Sequence, residues 1–379
     1  MKLESFKAGA WRQQYQYKSF QPTLVNQVWT WEDPVINTLL EQSTKALGEL
    51  NAFSLIVPDI DLFIEMHIMK EAQTSSRIEG TQTGINEALM PEDQIQPEKR
   101  DDWREVRNYV DAMNEAIAAL KNFPLSNRLL KQAHAILMQG VRGEHKQPGE
   151  FRSSQNWIGG SSLADAVFIP SHFDDVPDLM GDLEKFWHNE DIAVPHLIRI
   201  AISHYQFETI HPFCDGNGRI GRLLITLYLV SKGLLAKPSL YLSDFFERNR
   251  TSYYDALMRV RQSGDMIHWI RFFLKGVEET SAKGRDTFQK ILTLRTKVEH
   301  DVLSLGKRAP NARQALNLLY QKPIIVAADL ERADGLGIST PTANALIRDL
   351  IRLGILVEIS GLQKRRVYEF NRYLNLFLS

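Results

Sequence analysis

The chain has 379 residues, with 45 Lys and Arg against 46 Asp and Glu. That length allows two or three domains with ample core, and a formal net charge of −1 creates no global field favouring nucleic acid or an anionic membrane surface. The single cysteine, Cys214, excludes an internal disulfide and cysteine-based zinc clusters.

The opening residues Met1 to Lys7 lack the apolar stretch of a signal peptide, and no segment approaches the roughly 20 apolar residues of a membrane span. A cytoplasmic protein with no membrane partner is expected. From about residue 35 to 290 most of the sequence has helical period, interrupted by prolines at 91, 97, 124, 148, 195 and 238.

The first informative helix is predicted over Asp61 to Ile78, with Leu62, Met66 and Met69 at helical spacing and Gly80 marking its end. Ser75 and Glu79 fall one turn apart at its C-terminal end. A carboxylate there opposes the helix dipole, so Glu79 asks for a compensating cation. Further periodic faces follow at Trp103, Val106, Val110 and Met113, then at Leu129, Leu130, Ala133 and Leu137. Next, two β-prone runs between Gln155 and Pro170 surround a Gly/Ser-rich turn, which predicts a hairpin.

The densest chemistry lies in His211-Pro212-Phe213-Cys214-Asp215-Gly216-Asn217-Gly218-Arg219-Ile220-Gly221-Arg222. It brings together a base, a carboxylate suited to Mg²⁺, glycines that let backbone amides approach an anion, and two guanidiniums. A helix is predicted from Gly218, with Ile220, Leu223, Leu224 and Leu227 facing the core, and an anion would sit at its N-terminus. Imidazole titrates near neutrality, so His211 can accept a proton from an attacking hydroxyl. Gly216 to Gly221 also spell G-x-G-x-x-G, but they follow a His-Pro turn and no βαβ unit surrounds them, which argues against a dinucleotide fold. Cys214 reads as filler. Downstream, Tyr241 and the pair Tyr253-Tyr254 are candidates to wall an adenine pocket by stacking.

A long charged helix through Arg295 to His300 precedes a predicted linker at Gly306 to Pro310. Helical segments at Ala312 to Tyr320 and Ala327 to Ala333 follow, then a helix opened by Ser339-Thr340-Pro341 and closed by Gly354, and a hairpin from Val357 to Phe370. Residues 311 to 379 carry nine Lys and Arg against six Asp and Glu, a mild positive footprint concentrated at Lys364, Arg365 and Arg366. This tail is expected to fold on its own.

The run from His211 to Arg222 resembles the signature of the Fic family, His-Pro-Phe-x-Asp/Glu-Gly-Asn-Gly-Arg-x-x-Arg, and fills every fixed position of it. The resemblance implies an adenylyltransferase that moves AMP from ATP to a Tyr, Thr or Ser hydroxyl of a protein. It implies His211 as base, Asp215 as the ligand of Mg²⁺ or Mn²⁺, Gly216, Asn217 and Gly218 as anion cradle, and Arg219 and Arg222 on the triphosphate. Thr74 to Gly80 resembles the family's inhibitory motif, Ser/Thr-x-x-x-Glu-Gly/Asn, which implies that Glu79 pairs with Arg222. The hairpin resembles the family's flap, whose edge would hold a target segment, in another protein or in this chain, by strand addition. The tail resembles a winged helix, which implies DNA or protein contact; a homodimer is a further candidate assembly.

The fold expected is therefore mainly α. It comprises an N-terminal helical region with the inhibitory motif (1–100), a Fic core with a β-hairpin flap (101–285), a helix and linker (286–310) and a winged helix (311–379). Two alternatives accompany the transferase: removal of AMP by the same site, and a nucleotide-sensing DNA-binding regulator.

Overall fold

The computed structural model describes residues 1–141, 145–361 and 365–378. Lys364 lies outside them. The chain opens with an antiparallel hairpin, β1 (Gly9–Gln13) and β2 (Lys18–Pro22), in which Trp11 faces Phe20. The sequence pattern gives no sign of this hairpin, since Trp11-Arg12-Gln13 has no alternation of apolar and polar residues.

Helices then dominate. They are α1 (Pro34–Ile56), α2 (Asp61–Ile78), α3 (Ile85–Leu89), α4 (Arg100–Ala119), α5 (Asn127–Leu137), α6 (Val176–His188), α7 (His196–Ile210) and α8 (Asn217–Ser231). The series continues with α9 (Ser243–Arg248), α10 (Arg250–Ser263) and the 38-residue α11 (Met266–Leu303), along which α1 packs. Their starts follow local chemistry. The Asp33 carboxylate caps α1 with Pro34 in its first turn, Ser126 caps α5, and Asp265 caps α11. Among the described residues, no helix is long and apolar enough to cross a membrane.

Two helices are buried on nearly every side. All fourteen residues of α7 from Leu197 to Ile210 are buried, as is α8 from Arg219 to Leu229, so the segment joining them is held from both ends by core. The second half of α2 is equally enclosed, including the polar Glu71, Gln73, Thr74, Ser75 and Ser76. Buried polar groups are costly without partners: Glu71 accepts from the Ser243 N–H, Gln73 donates to the Thr83 carbonyl, Thr74 donates to the Lys70 carbonyl, and Ser75 meets Arg222 in the site.

The tail comprises α12 (Ala309–Gln321), β3 (Ile324–Val326), α13 (Ala327–Glu331), α14 (Thr340–Arg352), β4 (Val357–Glu358), β5 (Val367–Glu369) and α15 (Asn371–Leu378). Its sheet is antiparallel in the order β3-β5-β4, so the predicted final hairpin gains a third strand and a closing helix. The predicted linker is instead a 3-10 turn at Gly306–Arg308 running into α12, with Pro310 in the first helical turn.

The tail is docked on the rest of the chain. Its aromatic residues share a core with α2: ring centroids of Phe63 and Tyr320 lie 5.0 Å apart, Phe63 and Tyr373 6.4 Å, and His67 and Phe377 5.1 Å. Asn86 also donates to Glu369, and Arg365 pairs with Asp93 at 3.8 Å. A tail cut away would leave Phe63, which is fully buried, facing water.

Candidate active site

His211 ends α7 in the left-handed region, with φ 53° and ψ 61°, a conformation that costs a residue with a Cβ roughly 1–2 kcal/mol. Three hydrogen bonds hold it there. Its N–H donates to the Phe207 carbonyl at 2.9 Å, and its carbonyl accepts from Arg152 Nε at 3.0 Å and Asn156 Nδ2 at 3.1 Å. Arg152 also reaches the Ser171 carbonyl at 2.6 Å, and its own N–H donates to Pro212 at 2.9 Å. Burial, together with the cations Arg261 and Arg152, drives the His211 imidazole down to about 3. It is neutral at pH 7, and lies below the near-neutral value expected from the sequence because the site is buried and faces two cations.

From His211 the chain turns through Pro212 to Gly216, which adopts φ 72°, ψ 7° at the N-terminus of α8. Asn217 holds this turn: its Oδ1 accepts the Phe213 N–H and its Nδ2 donates to the Phe213 carbonyl, each at 2.8 Å. The side chain thus shapes the loop, and the anion-facing groups are the backbone amides. No side chain caps α8, so its first-turn N–H groups remain available to an anion.

A carboxylate packs against this turn. A methyl group on Gly218 would overlap Oε1 of Glu79, so the Glu79 carboxylate rests on the first turn of α8. Nη2 of Arg222 donates to that oxygen at 2.6 Å, and Arg222 also donates through Nε to Ser75 Oγ at 2.8 Å and through Nη2 to the Ser75 carbonyl at 2.9 Å. Burial works against the Arg222 charge, but Glu79, Tyr253, Tyr254 and Glu208 together hold it above the ordinary guanidinium value. Behind the pair, burial pushes Glu208 up to about 7, with Arg222 pulling it back.

Arg219 lies 3.4 Å from Glu105 of α4, whose carboxylate accepts the Thr81 hydroxyl at 3.0 Å. Asp215 is opposed by burial, yet Lys146, the Gly216 amide and Arg219 hold its carboxyl below the usual range. Glu79, Gly80, Thr81, Glu105, Asp215, Gly216 and Arg219 line a cavity of about 250 Å³. An ionised oxygen ligand beside an anion-binding helix start fits Mg²⁺, which takes one or two carboxylates and completes its shell with water and substrate phosphates. Among the described residues, no group of three His, Cys, Asp or Glu side chains is arranged to hold a metal by itself.

The aromatic residues divide. Tyr254 is 41% exposed and stands beside the Glu79–Arg222 pair; burial first, and then Glu79, raise its hydroxyl to about 12. Tyr241, expected beside an adenine, is buried in the core instead, its ring 5.7 Å from His67 and its hydroxyl 3.3 Å from Thr287. Tyr253 is likewise internal, bonded to His204 at 2.8 Å.

The predicted flap hairpin is a minimal one. Its two runs meet in a single antiparallel bridge, Ile158 to Phe168, because Asp165 gathers the Ser161 and Ser162 amides and hydroxyls into a compact turn. Support comes from the N-terminal hairpin: the Phe20 N–H donates to Ile169 at 2.9 Å, the Tyr17 hydroxyl lies 3.2 Å from Gln155, and Trp11 and Phe20 pack on Phe168. The sequence reading gave Arg152 and Asn156 no role beyond their segment and passed over His134; none has a signal short of the fold itself.

The Fic/DOC N-terminal family model matches residues 37–118, and the Fic/DOC family model matches residues 124–229, which include every residue from His211 to Arg222. The chain thus carries a Fic/DOC domain with that family's N-terminal region ahead of it. A Protein adenylyltransferase Fic of Drosophila erecta is 33% identical over 181 residues, 45% of this chain and 34% of that protein. Another, of Culex quinquefasciatus, is 30% identical over 220 residues, 57% of this chain and 39% of that protein. The chain thus matches little more than a third of the length of these curated relatives. A Fic family protein from Desulfovibrio desulfuricans G20 shares the fold with TM-score 0.56 at 22% identity, covering 89% of this chain and 96% of that one. Fic-1 of C. elegans does so with TM-score 0.53 at 19% identity, over 70% and 75%.

Proposed function

We propose that this Fic/DOC chain is a protein adenylyltransferase that transfers AMP from ATP to a Tyr, Thr or Ser hydroxyl of a protein and is held inactive by Glu79. The observation that carries the reading is the Glu79 carboxylate seated on the first turn of α8 and bonded to Arg222, beside a neutral His211 and an ionised Asp215. In the transfer, the target hydroxyl oxygen bonds to the α-phosphorus, the bond from that phosphorus to the pyrophosphate oxygen breaks, and the hydroxyl proton passes to His211. General-base assistance of this kind is typically worth about 10² to 10⁴ in rate. The amides at the start of α8, Arg219 and Arg222 would hold the phosphates. Asp215 would hold Mg²⁺ or Mn²⁺, which supplies neutralisation of the departing charge.

While Glu79 occupies Arg222 and the helix start, the terminal phosphate has neither. A target segment would lie along the flap, from another protein or from this chain itself, and the cytoplasm remains the proposed location. One observation favours AMP removal by the same site as a second reading: Glu79 and Asp215 line one cavity, so a carboxylate could orient water against a metal-bound phosphodiester. The DNA-regulator reading has less support, since residues 311–379 carry only a mild excess of positive charge.

Intact-mass spectrometry after incubation with Mg²⁺ and ATP tests the proposal. Glu79→Gly should gain adenylyl groups, on itself or on added protein, and Glu79→Gly/His211→Ala should not. Equal labelling of the two proteins would remove His211 as base, and no labelling by either would remove the transferase reading.

A further inference from the structure

The loop ahead of the flap carries a cation into the site that the proposed chemistry leaves without a task. Nζ of Lys146 lies 3.0 Å from Oδ2 of Asp215. The other oxygen, Oδ1, accepts the Gly216 N–H at 2.7 Å, so the ammonium engages the oxygen that the backbone leaves open. Burial would raise the Asp215 carboxyl, and Lys146 is the first of the groups that bring it down.

Local structure directs Lys146 to this place. Gln147, the next residue, has φ 55°, a left-handed conformation unfavourable for a residue with a Cβ, and its Nε2 is tied to Ser153 Oγ at 3.0 Å. Two residues further on, the Gly149 N–H donates to Nδ1 of His134 at 2.9 Å. Because Nδ1 accepts, the proton of a neutral ring is on Nε2, which donates to the Asp215 carbonyl at 3.0 Å. Burial keeps that ring neutral, lowering it to about 4, and it lies flat on Phe213 with centroids 3.9 Å apart. One imidazole therefore staples the Lys146 loop to the backbone of the residue that Lys146 pairs with.

We propose that Lys146 is a displaceable counter-cation of Asp215, which a divalent ion must push aside in order to bind, so that Lys146 sets the metal concentration at which the site loads. The inference rests on the proposed reading of Asp215 as metal ligand. An ammonium and a divalent ion repel one another, so the two compete for the same carboxylate oxygen. The Lys146 side chain is 55% exposed, so it can swing into water without rearrangement of the core, and the doubly charged ion prevails once concentrated enough. The metal is thereby kept off the empty site.

The test uses the full chain without nucleotide, titrated with Mn²⁺ and followed by the electron paramagnetic resonance signal of the free ion. Lys146→Met should bind Mn²⁺ about twofold to fivefold more tightly than wild type, the range for release of an exposed ion pair. Lys146→Arg, which restores the cation, should return toward the wild-type affinity. Equal, weaker or undetectable binding by Lys146→Met overturns the proposal. Asp215→Asn separates the two ideas: it should lose binding, and retention of wild-type affinity would show instead that Asp215 is not the ligand.

Discussion

Oε1 of Glu79 lies 2.6 Å from Nη2 of Arg222, and the same oxygen fills the space where a side chain on Gly218 would begin. The carboxylate therefore answers two positive features together, a buried guanidinium and an uncapped helix start. Gly218→Ala should push the Glu79 carboxylate off Arg222 and so lower stability with Glu79 present, but be neutral or stabilising in a Glu79→Gly background, where only the better helix propensity of Ala remains. The coupling expected between such neighbours is about 0.5–3 kcal/mol. Thermal denaturation of the four proteins measures it, and strictly additive effects would mean that Glu79 does not rest on α8 in solution.

Arg152 touches the carbonyls of His211, Ser171 and Ile210, so it positions the strained turn without belonging to the phosphate site. Arg152→Lys keeps the charge and loses the planar fork. In the Glu79→Gly background transfer should fall by about a hundredfold, the scale of a small misplacement of reacting groups, while nucleotide affinity measured by calorimetry stays near that of the Glu79→Gly parent. A parallel loss of affinity would place Arg152 in binding instead of positioning.

Acid should weaken the fold. His67 and His134 are lowered to about 4, His204 and His211 to about 3, each chiefly by burial. Below the ordinary histidine value the unfolded chain takes up protons that the folded chain refuses, so stability drops as pH falls through about 6.5. Glu71 and Glu208 act in the opposite sense: burial raises both to about 7, so the folded chain gains protons between about 7 and 4.3 and stability rises on acidification over that window. Four histidines outweigh two carboxyls. The melting temperature should fall from pH 7 to pH 5, and a flat or rising profile would contradict the neutral buried state of these rings.

Tyr320 and Phe63 are both fully buried where the tail meets α2. Tyr320→Ala should cost about 3–5 kcal/mol, as large aromatic truncations in cores do, and its effect should cross the interface. Amide hydrogen exchange should quicken not only in α12 but along α2 toward Ser75. Acceleration confined to residues 309–378 would show that the two regions open separately.

Much of the site is legible in the sequence because its parts are local. The apolar spacing after Gly218 and the Gly80 signal mark α8 and the end of α2 as the structure has them. The unfavourable position of Glu79 at a helix C-terminus asks for a cation, and Arg222 is bonded to it. The scaffold behind these residues is not local. Arg152, Asn156 and His134 act through contacts with backbone more than fifty residues away, and such contacts leave no periodicity. The buried place of Tyr241 is illegible for the same reason: an aromatic beside a proline break looks alike whether it faces ligand or core. The tail's segments follow their turn signals, but where the assembled tail lies depends on Phe63 and His67, two aromatic residues of a helix whose apolar pattern does not say what covers it.

Phe63 and Glu79 stand on one continuous helical stretch, sixteen residues apart in sequence, or about 24 Å at the rise of an α-helix. One end is clasped by tail aromatics and the other carries the oxygen that meets Arg222. The half of α2 that joins them is itself buried, so a change at the tail reaches Glu79 only by disturbing that packed half.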